Sequence, residues 1–323
     1  MPSTGLYRPN DLLPGERFGK PLALIAAPCD VAGGRRGSTM GPEALRVAGL
    51  PEALRGLGYS VHDRGSLGGP SHPDRERQGG YRHLEETARW VQAVHDSVYD
   101  SLGSGELPIL LGGDHALSIG SVAGAARHCA ERDKPLSLLW LDAHADFNTA
   151  DSSPSGNLHG MPVAVLCGDG PRALLDIGHA TPVLDPARVV QVGIRSVDAV
   201  EKRSVVERGL TVYDMRRIDE IGMRATMEQV LEQVARGGGH LHVSFDVDVL
   251  DPEIAPGTGT PVSGGLNYRE AQLCMEMIHD SGLLASLDVV EVNPALDRRN
   301  QTAELAVELV QSLFGEQILA RVL

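Results

Sequence analysis

Three short segments of the sequence place acidic and imidazole side chains at spacings that suit the binding of metal ions. Asp142-Ala-His144-Ala-Asp146 carries two carboxylates and one imidazole at alternate positions, directly after an apolar run. In an extended chain alternate residues point to the same side, so these three side chains are predicted to converge. Carboxylate oxygens with an imidazole nitrogen suit a hard or borderline divalent cation. Taken alone, the segment is also compatible with a polar turn after a strand.

The other two segments repeat this chemistry elsewhere in the chain. Asp246-Val-Asp248 again puts acids at alternate positions after a β-rich run. Two such acids raise each other's pKa unless a cation lies between them, although a helix cap or a solvated loop is an open alternative. Gly112-Gly-Asp-His115 places a histidine where glycines let the backbone approach closely, a position at which a lone histidine is more often structural.

Together the three segments predict one cluster of four carboxylates and two imidazoles. Its members are His115, Asp142, His144, Asp146, Asp246 and Asp248. They are too many for one tetrahedral zinc site, and no thiolate belongs to the group. Oxygen-rich ligation with bridging acids suits a pair of Mn²⁺ ions. Two cations about 3.5–4 Å apart can share a hydroxide that is a strong nucleophile at neutral pH, so the cluster predicts a two-metal hydrolase.

The elements that position these side chains alternate along the chain. Near-continuous apolar runs are typical of strands covered on both faces of a parallel sheet, and segments with helical spacing lie between them. The predicted strands are Pro21–Ala27, Leu107–Leu111, Leu136–Leu141, Val189–Ile194, Leu241–Phe245 and Leu283–Val290. The predicted helices are Pro42–Leu57, His83–Leu102, Leu117–Cys129, Ala225–Arg236, Tyr268–His279 and Thr302–Phe314.

This alternation predicts an α/β fold with right-handed crossovers. We expect a single three-layer α-β-α domain over residues 1–323, with a central, mostly parallel sheet and an exposed loop at Gly65–Gly80. Ligands of open α/β sheets bind beyond the carboxyl ends of the strands. The three metal-binding segments and Glu291 each follow directly on a predicted strand, so four strand ends are expected to deliver polar groups to one rim.

Composition excludes several classes of function. The formal net charge of −14 argues against a nucleic-acid partner, which needs a clustered basic face. No apolar run is close to the length of about 18 residues that a transmembrane span needs. The segment Met1–Lys20 lacks the apolar core of a signal peptide. The cysteines are widely scattered and read as reduced thiols rather than a disulfide framework. A cytoplasmic enzyme without a membrane or nucleic-acid partner is expected.

Four ordered blocks resemble the signature of the ureohydrolase superfamily. They are Gly113-Asp-His115, Asp142–Asp146, Ser244-Phe-Asp-Val-Asp248 and Glu291-Val-Asn-Pro294. Within the superfamily the chain is similar to arginases of the bacterial type, over nearly its whole length. A further stretch, Asn148 to Met161, resembles the block that separates arginases from agmatinases, which share the metal ligands.

The resemblance implies two Mn²⁺ ions per subunit and hydrolysis of L-arginine to L-ornithine and urea, by attack of a metal-bridging hydroxide on the guanidinium carbon. The first ion would take His115, Asp142, Asp146 and Asp246, and the second His144, Asp142, Asp246 and Asp248. The same resemblance implies a homotrimer or homohexamer. An agmatinase or guanidinobutyrase acting on another small guanidino compound is the open alternative, and a catalytically silent homologue is a further one.

The resemblance also implies roles for residues around the metals. Asp146 would transfer a proton to the departing amine, His159 would shuttle protons, and Glu291 would pair with the substrate guanidinium. The substrate's α-carboxylate and α-amino groups would be bound near Asn148, Ser153, Ser155 and Asp198, with Thr260 close to Glu291. A plain Ser/Asn/Gly-rich loop, a solvent-exposed histidine and a structural salt bridge are the alternatives for Ser155, His159 and Glu291.

The sequence departs from the family's pattern at two places and leaves two arginine pairs unassigned. Ser196 stands where many animal arginases carry an acid, and Val249 replaces a glycine. A β-branched residue disfavours positive φ, so the backbone at Val249 is expected to differ slightly. The pairs Arg35-Arg36 and Arg298-Arg299 suit either an interface or carboxylate binding, and the sequence does not decide between them.

Overall fold

A computed structural model describes residues 19–73 and 76–319, and within them eight strands form one sheet in which every neighbouring pair is parallel. The strands are β1 Leu22–Ala27, β2 Val61–Ser66, β3 Leu107–Gly112, β4 Leu136–Leu141, β5 Val189–Ile194, β6 Thr211–Asp214, β7 His240–Asp246 and β8 Leu284–Val290. Their order across the sheet is β2-β1-β3-β8-β7-β4-β5-β6. The predicted parallel α/β fold is confirmed. Most of Met1–Lys20, where no signal peptide was expected, lies outside the described residues.

Helices cover both faces of the sheet and complete three layers. Over the described residues they are α1 Gly41–Val47, α2 Leu50–Gly56, α3 Leu84–Gly103, α4 Ser118–Ala130, α5 Pro162–Leu166, α6 Arg172–Leu175, α7 Ala199–Glu207, α8 Met215–Gly237, α9 Tyr268–Ser281 and α10 Gln301–Leu313. One apolar core joins the sheet to α1, α2, α8, α9 and α10, and a second joins the other face to α3, α4, α5 and α7. Along the described parts of the chain, no helix has both the length and the apolar character needed to span a membrane.

The predictions were wrong or incomplete at the edges of the sheet and at glycines. Strands β2 and β6 are edge strands with polar, partly exposed residues, so they lack the apolar runs that identified the other six. The loop predicted from Gly65 therefore starts only after Ser66, where β2 ends. The helix predicted over Pro42–Leu57 is two helices separated at Gly49, whose φ is +87°.

The four central strands β3, β8, β7 and β4 are adjacent although they are far apart in sequence. Because all run in the same direction, their carboxyl ends lie along one rim. The end of β1 reaches the same rim: a Cβ atom at Gly113 would lie 1.6 Å from the carbonyl oxygen of Cys29. Only glycine permits this approach, which brings the segment after β1 against the segment after β3.

Candidate active site

The rim of the sheet gathers all six side chains that the sequence singled out as metal ligands. His115 Nδ1 lies 3.0 Å from Asp142 Oδ2, 3.0 Å from Asp246 Oδ2 and 3.3 Å from Asp146 Oδ2. His144 Nδ1 lies 3.1 Å from Asp248 Oδ2 and 3.4 Å from Asp142 Oδ1.

Five of these side chains form two clusters able to hold a metal ion, and Asp146 lies beside the first of them, with its Oδ2 3.3 Å from His115 Nδ1. Their members are His115, Asp142 and Asp246 in one and Asp142, His144 and Asp248 in the other. In each cluster the donor atoms lie within 4.8 Å of one another, and Asp142 belongs to both. The arrangement therefore has the form of two neighbouring sites joined by a shared carboxylate.

Local backbone structure explains why the acids converge. Beyond β4 the amide of His144 donates to Asp142 Oδ1 at 2.6 Å, and beyond β7 the amide of Asp248 donates to Asp246 Oδ1 at 2.7 Å. Both are short turns closed by an Asp side chain, a conformation that such residues favour. Asp146 adopts φ +51°, an unusual value for a residue with a side chain.

The electrostatics of the cluster favour bound cations. Burial, followed by the neighbouring carboxylates, raises the pKa of Asp146, Asp246 and Asp248 above the ordinary value for aspartate. Moreover, His115 Nδ1 is buried and has no properly aligned hydrogen-bond partner in the described part of the chain, although carboxylate oxygens surround it. A nitrogen lone pair facing several carboxylates is the donor set of a divalent metal, so the residues fit such an ion.

The rear face of the cluster is held by residues of the core. Trp140 stacks on the ring of His115 with centroids 3.9 Å apart, and its indole N–H donates to Asp142 Oδ2 at 2.9 Å. His115 Nε2 pairs with Ser244 Oγ at 2.9 Å, and Ser244 in turn pairs with Ser118. Such contacts fix the ring orientation and tautomer of a ligating histidine.

Glu291 and His159 form a pair beside the metal cluster. Glu291 Oε1 accepts a hydrogen bond from the amide of His115 at 2.9 Å and lies 3.1 Å from His159 Nδ1. Burial disfavours the charged form of each, but their mutual attraction outweighs it: the pKa of Glu291 is lowered and that of His159 is raised to about 9. Glu291 has φ +62°, a conformation that the surrounding contacts must hold.

The segment after Asp146 forms one wall of a cavity that opens beside the cluster. Ser153 and Ser155 lie with their hydroxyl oxygens 3.5 Å apart, and Asn148 Nδ2 donates to Asp198 Oδ2 at 3.0 Å. These four residues line a cavity of ≈150 Å³ together with His159, and a second cavity of ≈540 Å³ adjoins it. The structure thus brings the predicted substrate-binding residues to one mouth.

Comparison with known proteins identifies the family. A model described as the arginase family matches residues 20–315. The arginase of Bacillus caldovelox is 43% identical over 302 residues, which are 93% of this chain and 100% of that protein. The arginase of Brucella melitensis biotype 1 is 44% identical over 92% of this chain and 97% of that protein. The chain belongs to the arginase family.

The solved structures agree with this assignment. The structure of Bacillus caldovelox arginase superposes with a TM-score of 0.89 at 42% identity, covering 93% of this chain and 100% of that one. The predicted resemblance to bacterial arginases is confirmed, and the chain is accordingly a hydrolase.

Three further residues complete the description of the site in this arginase-family chain. Thr260 Oγ1 donates to Asp248 Oδ2 at 3.1 Å, and Thr260 lines the larger cavity together with Glu291. Ser196 lies beside His144, with which it forms an isolated parallel bridge. Val249 is buried in a 3-10 turn and is not among the residues with positive φ in the described ranges; it packs over Gly193.

Sequence reasoning missed the supporting residues. Glu201 is buried and accepts hydrogen bonds from the amides of Phe147 and Asp198, at 2.7 and 3.0 Å, and so ties the two sides of the smaller cavity together. The sequence predicts Trp140 only as part of the apolar strand Leu136–Leu141. The one available signal was that a tryptophan inside such a run needs an acceptor for its N–H group.

Proposed function

We propose that the chain hydrolyses L-arginine to L-ornithine and urea with two divalent cations bound by the six-residue cluster. The observation that carries this proposal is that Asp142 belongs to both candidate metal clusters, and that two of the proposed ligands, His144 and Asp146, line the same cavity as Ser153, Ser155 and Asp198. The site thereby combines a two-metal centre with groups suited to an α-amino acid.

The ligands would divide between two ions. His115, Asp142, Asp146 and Asp246 would hold one ion, and His144, Asp142, Asp246 and Asp248 would hold the other. Bound cations supply a lowered pKa for water and stabilisation of the negative charge that develops during attack. Mn²⁺ suits this oxygen-rich set, and we propose two per subunit.

The residues around the cluster have separate tasks. Glu291 holds the guanidinium group of the substrate through its carboxylate, which burial and the His115 amide keep in place. Asp146 takes a proton from the attacking water at its carboxylate and delivers it to the departing amine. His159 lies beside Glu291 and is partly exposed, so it exchanges protons between the site and solvent.

The other end of the substrate lies in the mouth. The hydroxyls of Ser153 and Ser155 and the amide of Asn148 offer neutral donors to the α-carboxylate. Asp198 offers a carboxylate to the α-ammonium group. Asn148 also donates to Asp198, so it orients this acid as well. Thr260 orients Asp248 through its hydroxyl.

Urea release from L-arginine, agmatine and 4-guanidinobutyrate tests the proposal, with metal content measured on the same sample. We expect about two metal ions per chain and a kcat/KM for L-arginine at least about a hundredfold above that for agmatine, because agmatine lacks the carboxylate that the mouth binds. Equal turnover of the two would refute the arginase assignment. A folded, metal-loaded protein that releases no urea would indicate a silent homologue.

We further propose a cytoplasmic homotrimer or homohexamer. The four cysteines of the chain lie in the described residues and are all free and buried, which suits a reducing compartment. The homo-oligomer is what the resemblance to bacterial arginases implies. Light scattering coupled to size-exclusion chromatography measures the mass, and a monomer at micromolar concentration would contradict the oligomer.

A further inference from the structure

We propose that Arg35 determines specificity by pairing with the α-carboxylate of the substrate at the mouth of the site. The proposal rests on the proposed hydrolysis of L-arginine. It assigns a function to one member of the Arg35-Arg36 pair, which the sequence alone left open.

The loop that carries Arg35 is fixed on both sides. Before it, the amide of Ala32 donates to Asp114 Oδ2 at 2.9 Å. After it, Asp30 accepts hydrogen bonds from the Arg36 side chain and the Gly37 amide, each at 2.9 Å. The backbone of Arg35 therefore has a defined position, as a residue that recognises substrate requires.

This position is the rim of the cavity. A Cβ atom at Gly34 would lie 2.8 Å from Asn157 Nδ2, so the loop abuts the segment that carries Ser155. On the other side, a Cβ atom at Gly259 would lie 4.0 Å from Arg35 Cβ and 3.6 Å from Glu291 Oε2. The Cβ atom of Arg35 thus lies between the segment that carries Ser155, proposed to bind the carboxylate, and Glu291, proposed to bind the guanidinium. Arg35 also lines the ≈540 Å³ cavity.

Arg35 is also the member of the pair that is available to a ligand. Arg36 is engaged with Asp30, whereas the side chain of Arg35 is exposed and has no hydrogen bond or ion pair among the described residues. A guanidinium group presents two parallel donors that match a carboxylate, and it keeps its charge at every physiological pH.

The charges of the mouth define what Arg35 recognises. A substrate whose guanidinium lies at Glu291 leaves its α-ammonium and α-carboxylate groups near the rim. Asp198 matches the ammonium, but Ser153 and Ser155 contribute no positive charge to the carboxylate. Arg35 supplies that charge. In a chain with a net charge of −14, a cation at the entrance also offsets the repulsion that an approaching carboxylate meets.

Steady-state kinetics of Arg35→Gln test the proposal, with L-arginine and agmatine as substrates at low and high salt. For L-arginine we expect KM to rise about two- to tenfold at low salt with kcat nearly unchanged, as for a partly exposed ion pair, and the effect to shrink at high salt. For agmatine KM stays unchanged. Arg35→Lys keeps the charge but loses the paired donors, so its KM for L-arginine lies between the values of the wild type and of Arg35→Gln.

Arg216→Gln is the matched control, because Arg216 is exposed, pairs with Glu220 on α8 and does not line either cavity. An unchanged KM for L-arginine in Arg35→Gln, or an equal rise for L-arginine and agmatine, would overturn the role of Arg35. These outcomes require a wild-type protein that turns over L-arginine. A wild-type protein that prefers agmatine would instead refute the proposed function, and the role of Arg35 with it.

Discussion

Substitution of Trp140 by Phe removes one hydrogen bond from the metal cluster and leaves an aromatic ring beneath it. The indole N–H donates to Asp142 Oδ2 at 2.9 Å, and the ring stacks on His115 at 3.9 Å. Phenylalanine retains a stacking surface but has no donor. Asp142 belongs to both candidate metal clusters, so the lost bond affects both sites.

The size of the effect follows from the environment of the bond. Trp140 and Asp142 are both fully buried, so no water replaces the lost donor. A hydrogen bond to a charged acceptor contributes about 1.5–3 kcal/mol, and about 1.4 kcal/mol corresponds to a tenfold change in an equilibrium constant. We therefore expect metal affinity to fall about ten- to a hundredfold, the range typical for residues that orient metal ligands.

Metal titration of the chelator-treated protein, followed calorimetrically, measures this affinity directly, and urea release provides a second readout. Trp90→Phe is the matched control, because Trp90 is buried and donates its indole N–H to the Pro70 carbonyl at 2.8 Å, away from the cluster. It undergoes the same change in volume and also loses one hydrogen bond. Wild-type metal affinity in Trp140→Phe, or an equal loss in Trp90→Phe, would refute the reasoning.

Three further predictions concern the shared ligand, the proposed proton shuttle and acid stability. Asp142→Ala is expected to lose both metals together with urea production, and elemental analysis that finds two metals per chain would contradict this. His159→Asn should keep both metals but lower kcat about 10²- to 10⁴-fold, and an unchanged kcat between pH 6 and 10 would exclude the shuttle. His240 pairs with Ser286, and burial lowers the pKa of its imidazole to about 3. Between about pH 6.5 and pH 3 only the unfolded chain therefore protonates this imidazole. The folded state loses stability as the pH falls through that window. Urea denaturation of the metal-free proteins at pH 7 and pH 5 measures this effect. Between these pH values the free energy of unfolding should fall by about 2 kcal/mol less in His240→Gln than in the wild type, and an equal fall in the two proteins would contradict the prediction.

Local sequence predicts a strand best where all residues of the strand are buried in the same apolar environment. A strand buried on both faces is apolar at nearly every position, so near-continuous apolar runs such as Leu136–Leu141 can be recognised from the sequence. The edge strand β2, Val61–Ser66, has no such requirement, and its polar residues gave no signal. Gly49 likewise separates two helices whose apolar spacing is continuous, because the interruption depends on a backbone conformation that the spacing does not record.

The ligand side chains were predictable for a related reason. Asp142, His144 and Asp146 lie within five consecutive residues, so they are close in space even though the segment forms a turn closed by Asp142 rather than the predicted extended chain. Asp246 and Asp248 are likewise close in sequence, and a 3-10 turn after β7 brings them together. The sequence by itself therefore determined which side chains are candidate metal ligands, and that they follow strands, because both properties depend on neighbours along the chain.

Only the tertiary structure decided which of these groups meet, and what supports them. The strands that end at His115, Glu291, Asp246 and Asp142 are adjacent in the sheet in an order that no local pattern specifies. Contacts across more than a hundred residues, such as His115 with Ser244, follow from that order alone. The position of Arg35 is decided in the same way, since the segment after β1 reaches the mouth only because β1 lies beside β3 in the folded sheet.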